Sequence, residues 1–295
     1  MPSTFDDFGL SCALATPFRP GGACDIDRLV GHARSRLADG CSSVTLFGTT
    51  GEGASIGAAT RQAVLSALAA SPIKMRDAAI VCVCDSRLDD AVGQIRDALA
   101  VDCKAILLAP PYYFKHIADD GLFAWFAACF AAVGAELRDV ILYNIPQVTA
   151  VELTLSLIER LKRSFPQVVR GIKDSSGSWS YSRELVARHS DLAILIGDER
   201  HLAAAMAAGA KGSISGAANL RAQLLAAMIR ERRDDERVTR IVNEIEKYPV
   251  VAAIKAILAH TTGDPGWFSL APPLQPLARE ERDALIAAYD RIIAG

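Results

Sequence analysis

Residues 10–47 read LSCALATPFRPGGACDIDRLVGHARSRLADGCSSVTLF, and this stretch decides the fold class. Its two ends are short apolar runs of the kind that form buried β-strands. Between them, Asp25 offers a side-chain cap, apolar residues recur at helical spacing from Ile26 to Leu37, and Gly40 supplies a stop. The stretch therefore predicts a strand, a helix and the next strand.

The same unit recurs along the whole chain. Eight apolar runs are each followed by a helical pattern. They are residues 10–16, 43–47, 79–84, 105–108, 140–143, 169–173, 193–196 and 212–214. Eight units without a long polar linker fit a closed parallel barrel better than an open doubly wound sheet, which usually stops at five or six strands.

After Asn219 the strand pattern ends and only helical patterns continue. They cover residues 221–233, 236–260 and 279–293. We therefore predict an α/β fold, a (β/α)8 TIM barrel over residues 1–220, with additional C-terminal helices over residues 221–295 packed on the barrel.

Composition and charge narrow the possible functions. The chain has 295 residues, of which 51% are hydrophobic and 22% charged, a balance that buries a sizeable core. The formal net charge is -2 and no long basic run occurs, which argues against nucleic acid as a partner. The longest uncharged apolar run, residues 121–135, is too short to cross a membrane, and the first ten residues lack a secretory signal. We expect a cytoplasmic protein with a small-molecule partner.

The cysteines and histidines do not predict a metal site. The seven cysteines are scattered through apolar segments, which favours buried thiols over disulfides. Cys82 and Cys84 share one face of a strand, but no histidine or further cysteine lies nearby to complete a zinc site. The five histidines are isolated from one another.

Lys173 is the first candidate for catalysis. It ends the apolar strand at residues 168–172, so its amine should point toward the barrel mouth, where active sites of such barrels lie. A desolvated amine there loses proton affinity and becomes a nucleophile toward a carbonyl. The alternative is a lysine that merely pairs with Asp174 or another carboxylate.

Two further candidate site features lie at or just after the ends of predicted strands. The sequence Gly-Thr-Thr-Gly-Glu-Gly at residues 48–53 can aim backbone amides and the hydroxyls of Thr49 and Thr50 at a carboxylate, or it is a plain strand-to-helix loop. Tyr143 can relay a proton, or it is a core tyrosine with a satisfied hydroxyl.

Three motifs combine these residues: Gly-Thr-Thr-Gly-Glu at 48–52, Tyr-Asn-Ile-Pro at 143–146 and Gly-Ile-Lys-Asp-Ser-Ser-Gly at 171–177. In this order and spacing they resemble the dihydrodipicolinate synthase / N-acetylneuraminate lyase family of class I, Schiff-base pyruvate aldolases. The resemblance spans nearly the whole chain. Supporting matches are Ala-Thr-Pro-Phe at 15–18, Pro-Pro-Tyr-Tyr at 110–113, Gly197-Asp198, Pro249 and Lys255.

The resemblance implies a role for each matching residue. Lys173 forms an imine with pyruvate or a related 2-keto acid, so neither a metal nor a cofactor is implied. Tyr143 moves protons at the carbonyl and the new bond. Thr49 and Thr50 hold the keto-acid carboxylate.

The resemblance also implies an assembly. Thr50, Tyr143 and Tyr113 match a proton relay in which one tyrosine reaches in from a neighbouring subunit. Gly197 and Ile214 match backbone positions that line the pocket. Members of the family are commonly homotetramers built from dimers, and the same is implied here.

One departure from the family concerns the second substrate. Lysine-pathway synthases place an arginine five positions after the tyrosine that matches Tyr143, where it binds the carboxylate of the aldehyde substrate. Here that position is Val148, and spacing suggests Arg200 as a compensating cation. The loop after the third strand, Cys84-Asp85-Ser86, departs as well. We therefore expect a lyase or aldolase that condenses or releases a keto acid with an aldehyde of open identity.

Other functions stay open on the sequence. They are a true 4-hydroxy-tetrahydrodipicolinate synthase of lysine biosynthesis, a 2-keto-3-deoxy-sugar-acid lyase or dehydratase, and a phosphate-binding barrel enzyme using the Gly-Ser-Ile-Ser-Gly turn at residues 212–216. An alternative from a different class is a non-catalytic barrel that binds a keto acid as a sensor. Lys173 and Tyr143 argue against it, because a sensor has no need of a nucleophile. The physiological direction and any effector are not predicted.

Overall fold

A closed barrel of eight parallel strands forms the centre of the protein. The structure is a computed structural model that describes residues 5–295. The strands are β1 Gly9–Ala13, β2 Ser43–Leu46, β3 Ala79–Val83, β4 Ala105–Leu108, β5 Val140–Asn144, β6 Val169–Asp174, β7 Ala193–Ile196 and β8 Gly212–Ser215. Each strand pairs with the next, and β1 pairs with β8 to close the ring. The predicted (β/α)8 barrel is confirmed.

The first strand differs most from its predicted bounds, because it ends at Ala13 and not at Thr16. Leu14 still donates its amide to Thr45 on β2, at 2.9 Å. The Thr16 hydroxyl then donates to the carbonyl of Gly51, at 2.7 Å. The chain therefore leaves the sheet to support the loop that follows β2.

Helices fill the connections between strands and continue after β8. They are α1 Ile26–Ala38, α2 Ala58–Ala69, α3 Met75–Ala78, α4 Leu88–Ala100, α5 Asp119–Val133, α6 Pro146–Thr149, α7 Leu155–Ser164, α8 Trp179–Arg188, α9 Leu202–Ala208, α10 Ala218–Glu231, α11 Glu236–Ile245, α12 Val250–Thr262 and α13 Arg279–Ala294. The predicted start of α1 is confirmed, since the Asp25 carboxylate accepts from the amide of Arg28 at 3.3 Å.

The C-terminal region differs from prediction at one point. The single helix predicted over residues 236–260 is wrong, because Pro249 separates α11 from α12. Proline lacks an amide hydrogen and restricts the residue before it, so a helix rarely continues through it. The division of the chain after residue 220 stays a prediction, since α10 runs across that position with a break in helical geometry at Arg221.

Alternation along the strands divides the core into two layers. On β5, Ile141 and Tyr143 face the barrel interior, whereas Val140 and Leu142 face the surrounding helices. Fully burying one large aliphatic side chain contributes about 1.5–3 kcal/mol, so both layers stabilise the barrel strongly. A third apolar cluster packs α11, α12 and α13 together and includes Ala15 from the loop after β1.

Three sequence expectations concern membrane-spanning helices, metal sites and cysteines. Within residues 5–295 no helix is long and apolar enough to cross a membrane. The same part of the chain holds no group of three or more histidine, cysteine or acidic side chains arranged to bind a metal. All seven cysteines are unpaired thiols, and five of them are buried while Cys24 and Cys84 are partly exposed.

Candidate active site

A cavity of about 430 Å³ opens where the strands end. Such a site is expected in this fold because the carboxyl ends of all eight strands converge on one face. Seven of the eight predicted site residues line the cavity. They are Thr49, Thr50, Tyr143, Val148, Lys173, Gly197 and Ile214.

Lys173 lies at the deep end of the cavity, and only 5% of its surface is exposed. Parallel pairing of β5 with β6 places Lys173 opposite Tyr143 in register. Its amine lies 3.2 Å from the Tyr143 hydroxyl and 4.3 Å from the centroid of the Tyr143 ring. Within the described residues, no carboxylate lies within 4.0 Å of this amine. The amine is therefore directed at the cavity and at one phenol.

Asp174 does not neutralise Lys173. One carboxylate oxygen accepts from the Asn144 side-chain amide at 2.9 Å and from the amide of Ser176 at 3.0 Å. The other accepts from the hydroxyls of Ser176 and Ser182. Because adjacent strand residues point to opposite faces, Asp174 holds the ends of β5 and β6 together on the outside of the barrel.

The loop after β2 brings the hydroxyl of Thr49 close to the hydroxyl of Tyr143. Thr49 Oγ1 lies 3.3 Å from Tyr143 Oη, so Lys173, Tyr143 and Thr49 form a continuous line of polar groups. Thr50 lies against Gly216, where an added Cβ would approach Thr50 Oγ1 to 3.1 Å. The hydroxyl in contact with Tyr143 is thus that of Thr49, whereas the resemblance places Thr50 in the relay.

A buried ion pair holds this loop in place. Glu52 ends the Gly-Thr-Thr-Gly-Glu segment, and its carboxylate bonds the amine of Lys255 on α12. Lys255 also donates to the carbonyl of Ser269 at 2.7 Å, and Glu52 accepts from the amide of Ala271 at 2.7 Å. Burial lowers the pKa of Lys255, while the Glu52 carboxylate opposes that change. The loop after β2 and the C-terminal region are therefore coupled directly.

Helices α11 and α12 supply one wall of the cavity. The sequence pattern did not predict this contribution. The lining residues are Val242 and Ile245 on α11, Glu246 directly after it, and Val250 and Ile254 on α12. The sequence pattern marks most of these positions as the apolar face of a helix, and any packed helix has such a face. Their approach to the cavity depends on how the helices dock, which local periodicity does not encode.

Arg200 lines the cavity, but acidic groups occupy its guanidinium. It bonds both oxygens of Asp198, at 2.9 and 2.8 Å, and both oxygens of Glu246, at 2.7 and 2.9 Å. Burial works to raise the pKa of Asp198, but the hydrogen bonds from Arg200 outweigh it and leave that pKa lowered. Arg200 therefore offers no free charge to a substrate carboxylate.

Glu199 is a third acidic residue in the wall, after Asp198 and Glu246, and it is buried. Its carboxylate accepts from the Ser215 hydroxyl and, at 3.3 Å, from the amide of Ala217. Burial raises the pKa of Glu199, and these hydrogen bonds oppose the rise only partly. The group thus faces the cavity without a cationic partner in the described part of the chain.

Residues 7–291 match the model of the dihydrodipicolinate synthetase family. The chain belongs to this family. An uncharacterized DapA-like lyase of Chloroflexus aurantiacus is 35% identical over an alignment of 298 positions, which covers 97% of each chain. A 4-hydroxy-tetrahydrodipicolinate synthase of Sorangium cellulosum is 36% identical over 214 residues, covering 72% of this chain and 69% of the relative.

A solved structure agrees with this membership. A crystal structure described as dihydrodipicolinate synthase from Agrobacterium tumefaciens is 47% identical, with a TM-score of 0.94, and the match covers 97% of this chain and 99% of that one. Members of the dihydrodipicolinate synthetase family are lyases of the class I aldolase type, and so is this protein.

Tyr113 is the predicted site residue that lies outside the cavity of this family member. Its side chain is 74% exposed and meets Phe114 edge to face, with ring centroids 5.3 Å apart. The backbone is held in position because the amides of Tyr112 and Tyr113 both donate to the Ser86 hydroxyl at 3.0 Å. Within one chain, therefore, Tyr113 does not join the line of Lys173 and Tyr143.

Proposed function

We propose that this member of the dihydrodipicolinate synthetase family forms a Schiff base between Lys173 and pyruvate or a related 2-keto acid, and joins that acid to an aldehyde or releases it from one. The observation that carries the proposal is the position of the Lys173 amine. It lies buried in the cavity, 3.2 Å from the Tyr143 hydroxyl and away from any described carboxylate. Such an amine is placed to attack a carbonyl carbon.

The steps follow from the groups in contact. The Lys173 nitrogen attacks the keto carbon, and loss of water leaves an imine. The protonated imine accepts the electron pair released when a proton leaves C3, which gives an enamine. Its C3 then forms a bond with the aldehyde carbon, and the aldehyde oxygen takes a proton. Water finally releases the product from Lys173.

Protons move through Tyr143 in this scheme. Its hydroxyl is within hydrogen-bond distance of the Lys173 amine on one side and of Thr49 Oγ1 on the other. Thr49 and Thr50 face the cavity and can donate to the keto-acid carboxylate. Because the imine is the electron sink, the proposed reaction needs neither a metal nor a cofactor.

The second substrate differs from that of lysine-pathway synthases in our proposal. Aspartate semialdehyde carries a carboxylate, and Val148 offers no charge to hold it. Arg200 bonds Asp198 and Glu246 with its guanidinium, so it does not substitute. We therefore propose that this carboxylated aldehyde is a poor partner, although named synthases are among the relatives of this chain.

Two parts of the proposal rest on family likeness. We propose a homotetramer built from dimers, because Tyr113 and Phe114 are large exposed aromatic residues and the resemblance places a tyrosine from each subunit in its neighbour's site. We also propose that the protein works in the cytoplasm.

Borohydride reduction in the presence of pyruvate tests the proposal. The expected result is loss of activity and a permanent pyruvate adduct on the peptide that contains Lys173. The control variant Lys173→Met keeps the buried aliphatic stem and lacks the amine, so it should acquire no adduct. Adduct on another lysine, or none on the wild type, contradicts the mechanism. Turnover of any 2-keto acid separates an enzyme from a non-catalytic sensor.

A further inference from the structure

Part of the mouth of the cavity is apolar. Lys173, Tyr143 and Ile214 lie deep and are nearly inaccessible. At the mouth stand Val148 on α6 and Val250 at the start of α12, which are 59% and 44% exposed. Exposed apolar side chains that share the mouth of a cavity are more informative than isolated ones, because such patches often mark ligand-binding sites.

Further apolar side chains of the C-terminal helices line the same cavity. Val242 and Ile245 on α11 and Ile254 on α12 complete the wall that faces the cavity. These three side chains are largely buried. Because they line the cavity, a ligand inside it can still contact them. The C-terminal helices thus contribute several aliphatic side chains to the cavity that contains Lys173.

The polar groups near the mouth are engaged with one another. Arg200 holds Asp198 and Glu246, and the Gln147 side-chain amide donates to the carbonyl of Ser175. Two carboxylates around one guanidinium leave a net negative charge, so this cluster offers no free cation to hold a carboxylate on the aldehyde partner. An alkyl chain gains contact with the two valines, whose side chains offer no hydrogen bond to a hydroxylated chain.

We propose that the aldehyde partner carries an uncharged, apolar chain that lies against Val148 and Val250. This inference rests on the proposed Schiff-base function and names the substrate class of that site. Transfer of one methylene from water to an apolar surface is favourable by an amount that corresponds to roughly four-fold in kcat/KM. Selectivity should therefore rise with chain length until the mouth is filled.

A series of straight-chain aldehydes, assayed with saturating pyruvate, measures this dependence. From ethanal to pentanal, kcat/KM should rise roughly four-fold for each methylene. Butanal should exceed its hydroxylated counterpart of the same length, and both should exceed aspartate semialdehyde. A flat series, or a preference for the hydroxylated aldehyde, overturns the proposal.

Isosteric variants assign the selectivity to the two valines. Threonine has nearly the shape of valine but places a hydroxyl in the wall, so Val148→Thr and Val250→Thr should each reduce the gain per methylene, to about two-fold. Val133→Thr is the matched control, since Val133 ends α5 and lies outside the cavity. It should keep the wild-type dependence. Equal slopes in all variants overturn the proposal.

Two further measurements separate the possible failures. Absence of a borohydride-trapped pyruvate adduct in the wild type overturns the proposed function itself, whereas a normal adduct with a flat aldehyde series overturns only the apolar partner. Sedimentation of Val148→Thr and Val250→Thr tests whether a second copy of the chain covers the mouth. A changed oligomeric state with unchanged selectivity shows that the valines face a subunit, and contradicts the proposal.

Discussion

The positions of Lys173 and Tyr143 depend on strand register. Both residues occupy inward-facing positions near the ends of paired strands, and the pairing places them side by side. A slip of one residue in β6 would turn Lys173 toward the helices and bring Asp174 into the barrel. The hydrogen bonds from Asn144 and Ser182 to Asp174 stabilise the observed register from the outer face.

Tyr143→Phe should reduce kcat by about 10²- to 10⁴-fold and leave the fold intact, because only a proton-transferring hydroxyl is removed. Steady-state kinetics with pyruvate and the best aldehyde measure the effect. Tyr181→Phe is a matched control, since that hydroxyl is partly buried outside the cavity and bonds the carbonyl of Leu153. An unchanged kcat in Tyr143→Phe would show that Tyr143 serves packing alone.

Val148→Arg should increase kcat/KM for aspartate semialdehyde by about ten-fold to a hundred-fold, because a charged hydrogen bond to a carboxylate contributes about 1.5–3 kcal/mol. Val148→Gln, which adds length without charge, is the control and should give a smaller gain. If the wild type already uses the semialdehyde efficiently and Val148→Arg adds nothing, the protein is a lysine-pathway synthase and the argument from Val148 is wrong.

At the level of elements, the loop after β2 and helix α12 form one structural unit. The Glu52 carboxylate and the Lys255 amine are completely buried against each other, so each compensates the charge of the other. The loop also carries Thr49 and Thr50 into the cavity. Helix α12 therefore positions both the apolar wall and the hydroxyls proposed to hold the keto acid.

Lys255→Met should lower the free energy of unfolding by about 3–5 kcal/mol, because it leaves the Glu52 carboxylate buried without a partner. The double variant Glu52→Gln/Lys255→Met should recover part of this loss, since the glutamine amide is neutral and can still accept from the amide of Ala271. Denaturant titration measures both variants. A single variant within 1 kcal/mol of wild type, on the scale of an exposed pair, would show that the pair does not anchor the loop.

At the level of the whole molecule, the exposed aromatic pair bears on assembly. Tyr113 and Phe114 are both more than 70% exposed, although aromatic side chains of this size usually find an apolar surface. The Ser86 hydroxyl fixes the backbone that presents them. A neighbouring subunit is the proposed partner of this aromatic pair. In that arrangement, Tyr113 reaches into the site of the neighbouring subunit and completes it.

Mixing two inactive variants tests this arrangement. Tyr113→Phe retains Lys173, and Lys173→Met retains Tyr113, so a mixed dimer holds one complete site. Random assembly of equal amounts should restore about one quarter of wild-type activity, since half of the dimers are mixed and each has one complete site of two. No recovery, with mixed dimers verified by mass spectrometry, would place Tyr113 outside the neighbouring site.

Much of the fold could be predicted from the sequence, because strand and helix formation depend on near neighbours. The alternation of apolar runs with amphipathic stretches predicted all eight strands, and the Asp25 cap predicted the start of α1. The position of Lys173 at a strand end predicted its place at the barrel mouth for the same reason. Pro249 is also a local signal, because proline breaks a helix. Its effect outweighs the helical periodicity on both sides, which is why the single helix predicted there was wrong.

Only the tertiary structure decided how the cavity mouth is built. Val148 and Val250 are about a hundred positions apart in the chain, and their proximity to one cavity results from the docking of α12 on the barrel. Spacing alone suggested Arg200 as a free cation, but Asp198 and Glu246, which directly follows α11, occupy it. Periodicity identifies which face of a helix is apolar, whereas long-range packing determines whether that face contacts the core, another subunit or a substrate.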